Sequence, residues 1–152
     1  MMKIVYVLAS FFTLCILISI VLSTVSCSRK PQLGLSRNQL FPCPSTPNCV
    51  CSEYPVKSGY AAPLRFTGDP EEAWQRARET IITMGGEIVG ENIIYLHAVF
   101  TSRFFRFVDD MELRQDNSAG VIHFRSASRT GYSDLGVNRK RIETLRSLFM
   151  KQ

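Results

Sequence analysis

The alternation of apolar and polar positions divides the chain into three unlike regions. Residues 4–25 are almost unbroken apolar sequence, preceded by one basic residue, Lys3, and free of charge until Arg29. Residues 28–63 hold most of the chain's seven prolines and show no helical period. Proline fixes φ and biases its predecessor out of helix, so this region reads as an extended tether followed by a Pro/Cys-rich loop. From Tyr60 onward the pattern becomes that of a folded domain.

Within that domain, 60–66 reads as a first strand, with Pro63 placing it at an edge or a strand start. Asp69-Pro70-Glu71-Glu72 is a helix start, in which Asp69 caps, Pro70 takes the first helical position and Glu72 completes a capping-box arrangement. Trp74, Ala77, Ile81 and Met84 then recur at helical spacing until Gly85-Gly86. The single Trp is therefore read as a core anchor. Strand-like segments follow at 87–90, 93–100, 104–114 and 120–126, with a turn signal at Asp116-Asn117-Ser118. In the last of them Val121, His123 and Arg125 share one face, and Ile122, Phe124 and Ser126 the other. Asp134 is placed to cap a closing helix striped by Ile142, Leu145, Leu148 and Phe149. The order β-α-β-β-β-β-α predicts an α+β fold, a mainly antiparallel sheet of four to five strands with two helices on one face. The expected divisions are a leader at 1–26, a tether and Pro/Cys loop at 27–59, and an α+β domain at 60–152.

Composition sharpens the first region most. The 45% hydrophobic content is inflated by the leader, whose removal leaves 126 of 152 residues, enough for one compact core. Collagen-like, repetitive and disordered compositions are excluded. A basic start and an apolar run ending in small residues is the layout of a secretory signal. Its end, Ser23-Thr24-Val25-Ser26-Cys27, suits lipoprotein processing, in which Cys27 is lipidated and becomes the N-terminus; Thr24 stands where Leu is usual. The run is also long enough to remain as a membrane span. Arg29 and Lys30 outnumber Lys3, a bias toward a cytoplasmic domain by the positive-inside rule. A lipoprotein, an exported anchored domain and a cytoplasm-facing anchored domain thus stand as three readings. All three attach the chain to a membrane, and the expected location is the cell envelope with a periplasmic domain.

With Cys15 in the run and Cys27 set aside, Cys43, Cys49 and Cys51 remain. A bridge from Cys43 to either later cysteine closes a short, proline-stiffened loop, as an oxidising compartment allows. The third sulfur is a free thiol, an alternative partner, or part of a metal site. The spacings of five and one intervening residues depart from the C-x₂₋₄-C of zinc sites, so no metal and no cofactor are expected.

Charge is concentrated late. Of the chain's formal +5, a net +4 falls within 125–146, where six Lys/Arg face only Asp134 and Glu143. Guanidinium forks, hydroxyls and a helix start are what an anion site requires. Arg125, Ser126, Ser128, Arg129, Tyr132, Asn138 and Arg139 are the candidates. The competing structural reading pairs these arginines with Asp109, Asp110, Glu112 and Asp134, leaving Lys140 and Arg141 to solvent. A lipid headgroup is a third use for such a basic face; nucleic acid is not expected, because no binding motif accompanies the patch. His97 and His123, with Asp109 and Asp110, are the candidates for acid–base or metal chemistry, although no H-E-x-x-H, G-x-S-x-G or P-loop spacing is present.

Three stretches together resemble one family. They are residues 33–52, with Pro-Cys-Pro-Ser-Thr-Pro-Asn-Cys-Val, residues 95–112, and residues 125–146, with Gly-Tyr-Ser-Asp-Leu-Gly-Val-Asn-Arg-Lys-Arg. They are similar to the domain of unknown function 1499. The resemblance implies a small, often membrane-associated domain and no assigned activity, cofactor or catalytic residue. By position it marks Cys43, Cys49, His97, Phe107, Asp109, Asp110, Arg125, Ser126, Ser128, Tyr132, Asp134, Asn138 and Arg139. The family tends to have Gly where Asn38 stands and Ser where Cys51 stands. The latter implies that Cys43–Cys49 is the family's pair and Cys51 the extra thiol.

The leading expectation is a non-enzymatic, membrane-anchored envelope protein that binds an anionic small molecule, a headgroup or a partner protein. The alternative is a hydrolytic or metal-dependent enzyme using His97 or His123 with Asp109 or Asp110. A purely structural partner in an envelope complex is the third class.

Overall fold

The computed structural model describes residues 2–28, 31–55 and 59–151. Arg29 and Lys30, which set the charge bias after the apolar run, lie outside the described residues, as does the side chain of Cys27. The apolar N-terminal run lies in a 27-residue helix, α1 (Met2–Ser28), whose described side chains are all exposed. Among the described residues no helix is long and apolar enough to cross a membrane.

A short hairpin follows, β1 (Leu35–Ser36) and β2 (Gln39–Leu40), and then β3 (Cys49–Cys51) and β4 (Leu64–Arg65). Helix α2 (Pro70–Thr83) precedes β5 (Glu87–Glu91), β6 (Tyr95–Thr101), β7 (Val108–Asp116) and β8 (Val121–Ser128), and α3 (Val137–Phe149) closes the chain. The main sheet has six strands in the order β3-β8-β7-β6-β5, with β4 also pairing to β8. All its ladders are antiparallel. The fold is α+β, as its segment order predicts.

Alternation along the strands builds the core. Leu96, Leu113 and Phe124 stand in register across β6, β7 and β8, with Ala98 and Met111 beside them. All are fully buried against Ala73, Ala77 and Ile81 of α2 and Ile142, Leu145 and Phe149 of α3. Trp74 is half-buried at the rim of this cluster. Asp69 caps α2 by accepting hydrogen bonds from the backbone N–H of Glu71 (2.7 Å) and Glu72 (3.1 Å).

Four local expectations change. The segment 104–107 is not strand; it is a tight loop before β7, with Arg106 in the left-handed region at φ 55°. Residues 49–51, expected as loop, form an edge strand with Cys51 opposite Arg125, because no proline falls between Asn48 and Tyr54 and a short extended run is left there. Gly59 makes that edge possible: at φ +88° it passes so close that a Cβ would lie 2.4 Å from the Cys49 carbonyl oxygen. The strand expected at 60–66 shrinks to Leu64–Arg65. Helix α3 begins after Gly136, two residues later than a cap at Asp134 predicts. Asp134 still serves the helix start by accepting from the Gly136 N–H (3.0 Å) and the Asn138 N–H (2.7 Å).

Candidate functional site

Strand β7 is buried on both faces for eight of its nine residues. One face is the apolar core. The other carries Asp110, Glu112 and Arg114, which alternation places side by side, and each is met by an opposite charge. Asp110 accepts both Nε and Nη2 of Arg129 at 2.8 Å and the Nε2 of His97 at 2.8 Å. Glu112, with no exposed surface, accepts from Arg125 Nη1 (2.9 Å), the Tyr95 hydroxyl (2.8 Å) and the Gly34 N–H (2.7 Å). Arg114 donates to Glu53 at 2.6 Å. The N-terminal segment covers this face: Glu53 also accepts the Leu40 N–H, and the Tyr54 hydroxyl donates to the Leu40 carbonyl.

These pairs are held in a water-poor layer, where attraction and desolvation nearly cancel but loss of one partner is costly. Burial and the adjacent Glu112 charge push the Tyr95 phenol far above its ordinary value. Burial also acts to raise the Asp110 carboxyl, yet hydrogen bonds from Arg129 and His97 outweigh it and hold the group below the usual carboxylate range.

On the helix side, Asn138 is a buried hub. Its Oδ1 accepts from Ser126 and from Arg141 Nη1 (2.6 Å), while its Nδ2 is shared among the Asn48 carbonyl, Ser128 Oγ and Asp134 Oδ2. Arg141 also donates to Asp109 at 2.7 Å and lies over the Phe100 ring. The hub thereby joins the Pro/Cys loop, β8, the turn before α3 and α3 itself. Arg141, expected to face solvent, is part of this network.

The two histidines share a face without converging. His97 stands opposite Glu112, whereas His123 stands opposite Arg114, two strands over and in a different register. His97 is answered by Asp110; His123 Nδ1 is 3.1 Å from Ser52 Oγ and 3.9 Å from Glu53. Asp109 lies on the opposite face, bonded to Arg141. Among the described residues no group of three or more His, Cys, Asp or Glu is placed to hold a metal ion.

Burial holds the His123 imidazole below the usual histidine range, against the pull of Glu53. For both His123 and Asp110 the unfolded chain takes up its proton at a higher pH than the folded one, so stability falls on acidification. The decline should begin near pH 6.5, where unfolded His123 protonates, and steepen below about pH 4 as Asp110 follows. Urea midpoints measured from about pH 8 to about pH 3 check this; a midpoint that stays level or rises on acidification contradicts it.

Cavities separate the remaining residues. A cleft of about 350 Å³ lies between the Pro/Cys loop and the turn after β8, lined by Pro44, Thr46, Asn48, Arg125, Ser128 and Arg129, with Asp110 at its side. Arg125 is buried in its wall, engaged through Nη1 alone, and its Nε has no hydrogen-bond partner among the described residues. A second, mainly apolar cavity of about 240 Å³ lies between the 102–107 loop and the turn before α3, with Phe107, Asp109 and Asp134 in its walls. Of the residues selected as an anion site, Arg125, Ser128 and Arg129 meet in the first cleft, and Ser126 and Asn138 sit in the hub. Tyr132 is exposed, and Arg139 donates to the Tyr60 carbonyl at 3.3 Å. Sequence reasoning passed over Glu53, Arg114, Tyr95 and Asn48. The available signal was the strict alternation of charge in Asp110, Glu112 and Arg114.

Cys43 and Cys49 form a disulfide and Cys51 is a buried free thiol. Burial raises the Cys51 pKa, which keeps it protonated and unreactive.

Residues 39–149 match a family model described as protein of unknown function (DUF1499). No curated protein matches the chain.

Proposed function

The chain belongs to the DUF1499 family, whose function is unknown, and from its own geometry we propose a membrane-attached, non-enzymatic envelope domain that binds a small anionic group in the Arg125/Arg129 cleft. The observation that carries this reading is Arg125. Its guanidinium lines the cleft, is nine-tenths buried, and is fixed by Glu112 through one nitrogen only. A planar fork held on one edge by a carboxylate is preorganised to receive an anion on another. Thr46, Asn48 and Ser128 supply neutral polar groups around it. Because Glu112 and Asp110 balance the arginines, selectivity rests on hydrogen-bond geometry more than on net charge.

Membrane attachment is supported by the apolar run at 4–25, acting through lipidated Cys27 or as a retained anchor, with the domain on the periplasmic side. The separation of His97 from His123, each with its own carboxylate, favours binding over catalysis.

The test is a thermal-shift series on the full chain in detergent with phosphate, sulfate and acetate. At least one anion should raise the melting temperature, and Arg125→Lys, which keeps a cation beside Glu112 but loses the fork, should abolish the rise. No shift with any of the three, or an equal shift in Arg125→Lys, overturns the cleft.

A further inference from the structure

Two loops meet at one end of the sheet, where β6 turns into β7 and β8 leaves for α3. Outside α1, ten large apolar side chains are exposed among the described residues; five of them, Phe104, Phe105, Tyr132, Leu135 and Val137, belong to these loops or to the first residue of α3. Phe104 is 85% exposed and Leu135 94%. Water-facing residues of this size at one end of a domain mark an interaction surface.

The loops are built to hold these side chains out. The Ser102 N–H donates to the Phe107 carbonyl (2.8 Å), the Arg106 N–H to the Ser102 carbonyl (3.2 Å) and the Phe107 N–H to Ser102 Oγ (2.9 Å). Phe105 stacks on Phe107 with ring centroids 5.8 Å apart, so Phe104 is left at the tip. In the second loop Leu135 takes a left-handed φ of 55°, a conformation that branched apolar residues rarely adopt.

Charge and continuity identify the occupant. Arg103 and Arg106, both exposed, bracket the aromatic pair. The same loop forms one wall of a groove whose other wall is α1, through Phe12, Ile16, Ile20 and Thr24. Thr24 lies three residues before Cys27, so with α1 retained as the anchor the loop stands beside the chain's entry to the membrane. The facing α1 side chains stay exposed around the contact, so the groove shields neither wall, and one apolar medium would cover both.

We propose that this end of the sheet docks on an anionic bilayer surface, with Phe104 and Leu135 between the headgroups and Arg103 and Arg106 on the phosphates. The inference rests on the membrane-attached reading and adds the domain's orientation on the membrane.

The experiment uses the full chain carrying Trp74→Phe, with Phe104→Trp, Leu135→Trp or Ile93→Trp added. Ile93 is 88% exposed but lies in the β5–β6 turn, at the opposite end of the sheet, and serves as the control. Each protein is reconstituted in phosphatidylglycerol/phosphatidylethanolamine vesicles with or without brominated acyl chains, then floated. The chains should float, and bromolipid should quench the indole of Phe104→Trp and Leu135→Trp while sparing that of Ile93→Trp. Adding Arg103→Glu/Arg106→Glu to Phe104→Trp should relieve the quenching. Chains that float with all three indoles equally quenched or equally spared overturn the docking face and leave attachment standing; a spared Phe104→Trp would assign the surface to a protein partner. Chains that fail to float overturn attachment and docking together.

Discussion

Glu112→Ala is expected to cost about 3–5 kcal/mol, enough to lower the melting temperature by roughly 10–20 °C. Glu112 has no exposed surface and accepts three hydrogen bonds, from Arg125, Tyr95 and the Gly34 backbone. Removing it strands a guanidinium that is nine-tenths buried and releases the covering segment at Gly34. The cost is that of an uncompensated charge and not the worth of the pair. Glu112→Leu/Arg125→Met, which deletes both charges at similar volume, should therefore recover most of the loss. Denaturant melts of the single and double variants decide it. A single variant within about 1 kcal/mol of the parent, or a double variant no better than the single, would show that the layer is solvated and that its ion pairs contribute little.

The comparable effect on the other face of the same sheet comes from Phe124→Ala, also expected at about 3–5 kcal/mol. Phe124 is the largest of the fully buried side chains, in register with Leu113. Its loss removes apolar contact and opens a cavity that α2 and α3 cannot close without moving. The backbone of Phe124 exchanges hydrogen bonds with Ser52, accepting from the Ser52 N–H (3.0 Å) and donating to Ser52 Oγ (2.9 Å). Alanine keeps these bonds, so the variant isolates side-chain packing. The urea midpoint should fall with its slope unchanged. A loss below about 2 kcal/mol would mean that the core relaxes around the gap.

The two variants separate what was legible in the sequence from what was not. Phe124 could be assigned to the core by alternation with Ile122, and the helices facing it by the spacing of Ala77, Ile81, Ile142 and Leu145. Glu112 could not be assigned in the same way. Its place between Met111 and Leu113 gives it the opposite face, and a charged residue on the second face of an antiparallel sheet ordinarily meets water. Nothing local states that residues 31–54 will fold across that face. The candidate site divides along the same line: Arg125, Ser128 and Arg129 stand out by charge and hydroxyl content, but Glu53, Asn48 and Gly34 enter from 61 to 90 positions away from their partners.

What the sequence determined by itself is whatever depends on neighbours a few positions apart. That includes the apolar run at 4–25, the Asp69 cap, the α+β order and the late concentration of positive charge. The tertiary structure alone decided how that charge is used. A run of arginines has one local pattern whether it faces solvent, a ligand or its own carboxylates, because Coulomb energy depends on spatial distance and on the dielectric around the pair. Folding brought Asp109, Asp110 and Glu112 to three of those arginines. It buried most of their surface and left one guanidinium edge beside a cleft.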